Sequence, residues 1–197
     1  MRILLIIFTL VVTKASYADS ERRNTRLHNS MFSGSSMALV PGENITILEY
    51  TLQHTNAAGI DVQTSDGRYP IHVAAMLNSD PEMIRILIKF GAKVNSVDDE
   101  GQTPLHFAAM SNLNPDIISV LVDNGAAINL QDMYGNTPLH RIGGPLQSNP
   151  LVLERLLLSG ASAHIRNQNG DLPIDRIKTN PDIRGTAAYG MLQRAVN

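Results

Sequence analysis

Three histidines recur at a fixed interval: His72, His106 and His140 stand 34 residues apart. Imidazole changes its charge near neutral pH and is a common metal ligand, so three of them invite an acid–base or metal reading. The spacing argues against a shared metal. A metal needs its ligand nitrogens within about 2.1 Å of one centre, and equivalent positions in successive copies of one unit lie side by side without converging. The acidic run Asp98-Asp99-Glu100 could imitate a carboxylate pair or a cation site. Nucleophilic chemistry has no candidate. Cysteine is absent, and no G-x-S-x-G, H-E-x-x-H or phosphate-cradling loop occurs; Gly143-Gly144 lacks the Lys and Ser or Thr that such a loop needs.

The elements that hold these residues explain the interval. Gly101-Gln102-Thr103-Pro104-Leu105-His106 reads as turn, cap and helix start. Glycine takes a left-handed conformation at no steric cost, and proline is tolerated in the first turn of a helix. Leu105, Ala108 and Ala109 then give that helix a small apolar face. The pattern returns at Gly135–His140 with Thr137, Pro138 and Leu139. It is degraded at Gly67–His72, where Tyr69 replaces Thr, and at Gly170–Asp175, where Leu172 replaces Thr and Asp175 replaces His. The prolines fall at 70, 104, 138 and 173, in steps of 34, 34 and 35.

Each copy carries a second helix with its own start signal: Asp80-Pro81, Asn114-Pro115, Asn149-Pro150 and Asn180-Pro181. Asp or Asn caps the helix and Pro occupies its first position. Apolar pairs four residues apart, such as Ile117/Ile118 with Leu121/Val122, make one stripe. Gly91, Gly125 and Gly160 predict the stops. Helix pairs are therefore expected at Pro70–Leu77 with Pro81–Phe90, Pro104–Ser111 with Pro115–Asn124, and Pro138–Ile142 with Pro150–Ser159. Pro173–Lys178 follows, with a last helix within Ile183–Arg194.

A period near 33 residues carrying T-P-L-H is a repeat signature. On these residues the chain resembles an ankyrin-repeat protein from about residue 57 to 194. The resemblance implies an all-α solenoid, with helix-turn-helix repeats joined by β-hairpin loops. Repeats are expected near 64–97, 98–131 and 132–166, with a C-terminal cap at 167–197, since the last copy lacks a second Leu-Leu-x-x-Gly-Ala ending. His72, His106 and His140, with Thr103, Pro104, Thr137 and Pro138, become structural: the histidines hold hairpins and helices by hydrogen bonds. Thr103 and Thr137 are expected to bond to the histidines of their own motifs, a bond lost at Tyr69 and Leu172. Asp98, Asp99 and Glu100 fall on a hairpin tip that faces solvent in this family, where acids keep ordinary pKa values.

The same resemblance places a partner-binding surface on hairpin tips and the outer face of first helices. The corresponding positions are Asp66, Arg68, Met76, Leu77, Asp99, Glu100, Gln102, Met110, Ser111, Met133, Tyr134 and Asn136, with Ser65 beside them. Tyr134 and the methionines stand out, because Tyr and Met are enriched at interfaces. The implied role is binding another protein without catalysis, cofactor or metal, as a monomer.

Composition fits. Net charge is −2 and the isoelectric point about 6.3, without the Lys/Arg excess that nucleic-acid binding requires. With 5% aromatic residues and no Trp, small and aliphatic side chains must fill the core.

The N-terminus stands apart. Arg2, the apolar run Ile3–Val12 and the small residues Ser16 and Ala18 follow the order of a secretory signal, predicted over residues 1–18. The run is shorter than the roughly 20 residues that span a bilayer. A cut after Ala15 also fits, and retention as an anchor is the rival reading. Cleavage after Ala18 removes Arg2 and Lys14, leaving 14 bases against 18 acids, a balance of −4. Export to a periplasm or out of the cell follows, and a chain without cysteine cannot mispair thiols there. Residues 19–43 are polar and irregular, a flexible leader. Asn44 can cap a helix that closes the stack, beginning the repeat domain 44–197, and Asn44-Ile45-Thr46 is also a glycosylation triplet.

Three functional readings remain open: a protein-binding module, a periplasmic inhibitor or protective partner of an enzyme or toxin, and a secreted effector that engages host proteins. One departure bears on the surface. Ile142-Gly143-Gly144-Pro145 replaces the Ala108-Ala109-Met110-Ser111 of the preceding repeat, predicting a short first helix and a longer loop through Ser148.

Overall fold

The computed structural model describes residues 59–77, 80–112, 114–142 and 149–196. The signal segment, the leader, the Asn44 triplet and the helix expected after it lie outside the described residues, as do residues 143–148 of the third-repeat loop.

Among the described residues the chain is helical, with no strand. The helices are α1 (Pro70–Leu77), α2 (Pro81–Lys89), α3 (Pro104–Ser111), α4 (Pro115–Asp123), α5 (Pro138–Arg141), α6 (Pro150–Leu158), α7 (Pro173–Ile177) and α8 (Ala187–Val196). First helices α1, α3, α5 and α7 stack in one row, and second helices α2, α4, α6 and α8 in another. Fully buried Ile71, Leu105 and Leu139 meet Ile84, Leu87, Ile117, Leu121, Leu153 and Leu156 between the rows. Ala74, Ala75, Ala108 and Ala109 are small enough to let the first helices approach closely.

Local chemistry sets each boundary. Asp80, Asn114 and Asn149 accept from the N–H groups of Glu82, Asp116 and Leu151, all at 2.9 Å. Gly91, Gly125 and Gly160 take φ of 102°, 88° and 94° just past the helix ends. Asn180 forms the same capping bond to the Asp182 N–H, yet no helix follows Pro181. Gly185, at φ 90°, interrupts it, and α8 begins only after Thr186, whose Oγ1 accepts from the Tyr189 N–H. The expectation of a helix from Pro181 is corrected accordingly. α5 has four residues where α1 and α3 have eight. Gly143, Gly144 and Pro145 follow, and proline disfavours helix in the residue before it.

The hairpin loops are tight turns, each closed around one side-chain oxygen. Asp98 Oδ1 accepts from the Glu100 and Gln102 N–H groups at 3.0 and 2.8 Å. Asp132 does the same for Tyr134 and Asn136, and Asn167 for Asn169 and Asp171. Thr64 Oγ1 takes the place of that oxygen in the first turn, accepting from the Arg68 N–H.

Candidate functional site

The turns are joined tip to tip. The Asp99 N–H donates to the Asp66 carbonyl at 3.3 Å, the Met133 N–H to Glu100 at 2.9 Å, and the Gln168 N–H to Tyr134 at 3.1 Å. Backbone approach this close needs glycine. A Cβ on Gly135, at φ 75°, would lie 2.8 Å from the Gln168 nitrogen. These bonds line up the outward side chains of successive tips into one strip.

On that strip Asp66, Asp99, Glu100, Met133 and Tyr134 are exposed. Leu77 is exposed at the end of α1, and Met76, Met110 and Ser111 are half-buried on the first helices. Arg68 is half-buried and turned inward: its Nε is 3.1 Å from Asp66 Oδ2, and its guanidinium lies 4.8 Å from the centre of the Phe107 ring. Two expected surface residues are misplaced. Gln102 and Asn136 are only 5% and 4% exposed, because they close their turns against Asp98 and Asp132. Their carbonyls accept from histidines of the preceding repeat, so they belong to the scaffold. Asp98 needs the same correction. It is buried beneath its tip, while Asp99 and Glu100 face solvent.

The histidines run inside the stack. His106 Nδ1 accepts from the Thr103 N–H at 3.1 Å, with the Thr103 hydroxyl 2.9 Å away, and Nε2 donates to the Asn136 carbonyl at 3.0 Å. His140 repeats this with Thr137 and the Asp171 carbonyl, and His72 with Tyr69 and the carbonyls of Gln102 and Ser96. The hydroxyl contact is indeed missing at Tyr69 and Leu172, but the backbone bond survives: Tyr69 N–H donates to His72 Nδ1, and Leu172 N–H to Asp175 Oδ2. Burial pushes His106 down to about 4 against the opposing pull of the Asn136 carbonyl and the Asp132 charge. Burial likewise lowers His72 and His140, opposed first by their carbonyl partners Gln102 and Asp171. At neutral pH the rings are uncharged, with both nitrogens engaged. Among the described residues no three His, Cys, Asp or Glu side chains gather as a metal site.

Several cross-repeat bonds carried weak signals in the sequence. Asn95 Nδ2 donates to the Gly125 carbonyl and its Oδ1 accepts from the Ala127 N–H, while Asn129 Oδ1 accepts from the Ser162 N–H. Their recurrence 34 residues apart was the available clue. Asn112, which donates to the Ala75 carbonyl at 2.8 Å, has no such recurrence. Nor does the buried ion contact of Arg141 Nη2 with Asp132 Oδ2 at 2.7 Å.

The family model for ankyrin repeats (3 copies) matches residues 36–132 and 94–142. The chain belongs to the ankyrin-repeat family. Comparison with the curated proteins finds no match. Ankyrin-repeat proteins are generally non-catalytic interaction modules, and a protein partner is what these repeats imply. Among the described residues no helix of this ankyrin stack is long and apolar enough to cross a membrane.

Proposed function

We propose that this chain is an exported, non-catalytic protein-binding module whose partner docks on the concave surface of hairpin tips and first helices. The observation that carries the reading is Met133 and Tyr134, two large side chains exposed side by side on a tip fixed by backbone bonds to both neighbours. A rigid aromatic anchor beside a flexible apolar one is the composition of an interface hot spot. Asp66, Asp99 and Glu100 extend the same strip with negative charge that selects among partners. Met76, Leu77, Met110 and Ser111 supply its inner wall. The signal-like order of residues 1–18 supports export.

The test is affinity capture with residues 19–197 as bait, followed by titration of the captured protein. Tyr134→Ala with Met110→Ala is expected to weaken binding at least about tenfold. Unchanged affinity with an intact fold overturns the surface. A start at Met1 in the protein recovered from cells, with no processed form, overturns cleaved export.

A further inference from the structure

The outward positions of the second helices carry polar groups in two repeats and leucine in the third. α2 presents Glu82, Arg85 and Lys89, and α4 presents Asp116, Ser119 and Asp123. At the first and last of these positions α6 has Leu151 and Leu158, which are 56% and 67% exposed. Neither belongs to the core, which takes Val152, Leu153 and Leu156 from this helix. Leu151 also gives up the acid that favours a helix N-terminus at that position. These leucines stand at the edge of a groove of about 500 Å³ between α4 and α6, bounded across from them by Pro115, Ser119 and Asp123. No hairpin tip or first helix contributes to it. Between the leucines lie Glu154 and Arg155. Arg155 is held in place by Ser119 Oγ at 2.6 Å and Asp116 Oδ1 at 3.5 Å.

We propose that this face is a self-association surface, filled by α6 of a second copy of this chain lying antiparallel across it. Along α6 the outward groups read apolar, negative, positive, apolar: Leu151, Glu154, Arg155 and Leu158. A two-fold axis passing between Glu154 and Arg155 sets Leu151 opposite Leu158 of the second copy, and Glu154 opposite Arg155 of the second copy. Symmetry makes every contact twice. The seven-residue spacing keeps both leucines on one stripe of the helix. A parallel pairing would oppose like charges, so the charge order selects the antiparallel one. One short helix from each copy makes an interface at the low end of the usual range, below about 1,200 Å². The dimer is therefore weak and concentration-dependent, in place of the monomer expected from the sequence. The surface is separate from the hairpin strip, so a dimer leaves both strips open.

Sedimentation velocity of the full chain, from low to high micromolar concentration, tests this. The expected result is a sedimentation coefficient that climbs towards the dimer value. Leu151→Asp and Leu158→Asp reproduce the acids Asp116 and Asp123 that α4 carries at those positions. Each is expected to weaken dimerisation at least about tenfold with an unchanged melting temperature. Glu154→Arg and Arg155→Glu are each expected to leave the chain monomeric when alone. An equimolar mixture of the two dimerises, because one copy then brings two cations and the other two anions. A monomer across the whole range, a dimer indifferent to Leu158→Asp, or a mixture no better than its components overturns the proposal.

Discussion

His106 Nε2 donates to the carbonyl of Asn136, 30 residues further on, at 3.0 Å, while its Nδ1 accepts from the Thr103 N–H. One imidazole thereby caps its own helix and ties that helix to the next turn. His72 and His140 do the same for their neighbours, so three neutral rings stitch the stack in series.

Acid is expected to unstitch it. The folded protein holds His106 at about 4, whereas an unfolded chain takes up the proton near the ordinary 6.5. The His106 contribution is complete above about pH 6.5, falls as pH drops and levels off below about 4. It amounts to on the order of 3 kcal/mol. His72 and His140 act in the same direction. Urea unfolding midpoints across pH 4 to 7 check the slope. His106→Gln is expected to flatten it; an unchanged slope removes His106 as the cause.

At neutral pH, His106→Ala leaves the Thr103 N–H and the Asn136 carbonyl without their partner in a buried site. Each orphaned group costs about 1–3 kcal/mol, and the lost ring adds a cavity. Thr103→Val keeps the backbone bond to Nδ1 and removes only the hydroxyl contact, as Tyr69 already does in the first repeat. It is expected to cost about 1 kcal/mol. Denaturant titration ranks the two, and equal losses contradict the bonding scheme.

The tips give a paired glycine test. Gly135 and Gly170 have similar positive φ, 75° and 82°, so alanine at either costs about 1–2 kcal/mol of backbone strain. At Gly135 the added Cβ also meets the backbone of Asn167 and Gln168, while at Gly170 it meets nothing within 4 Å. Gly135→Ala is therefore expected to lower the melting temperature clearly more than Gly170→Ala. Equal shifts measured by calorimetry would argue against close contact between the third and fourth tips.

Arg141→Ala removes the cation 2.7 Å from the fully buried carboxylate of Asp132. Breaking a buried pair from one side is expected to cost about 3–5 kcal/mol. Arg68→Ala takes a half-exposed guanidinium from Asp66 and from the Phe107 face, and about 1 kcal/mol is expected. Comparison of the two unfolding midpoints checks the order.

Much of this architecture is local chemistry. Thr-Pro-Leu-His at a period of 34, an Asp-Pro or Asn-Pro before each second helix and a glycine after it determine where the helices of the first three repeats begin and end, because caps and breakers act on adjacent backbone. The shortened α5 was legible for the same reason, in Gly143, Gly144 and Pro145. Asn180-Pro181 misled, since its capping bond forms while Gly185 ends what it starts. Tertiary structure alone decided which tip residues face outward. Gln102 and Asn136 look as polar as Glu100, but they sit where a turn meets the next repeat, and their exposure depends on neighbours more than thirty positions away. The Asp132–Arg141 contact and the Arg155 bridge to α4 were settled in the same way. A sequence period states that units stack; which side chains the stacking buries depends on how closely the backbones approach.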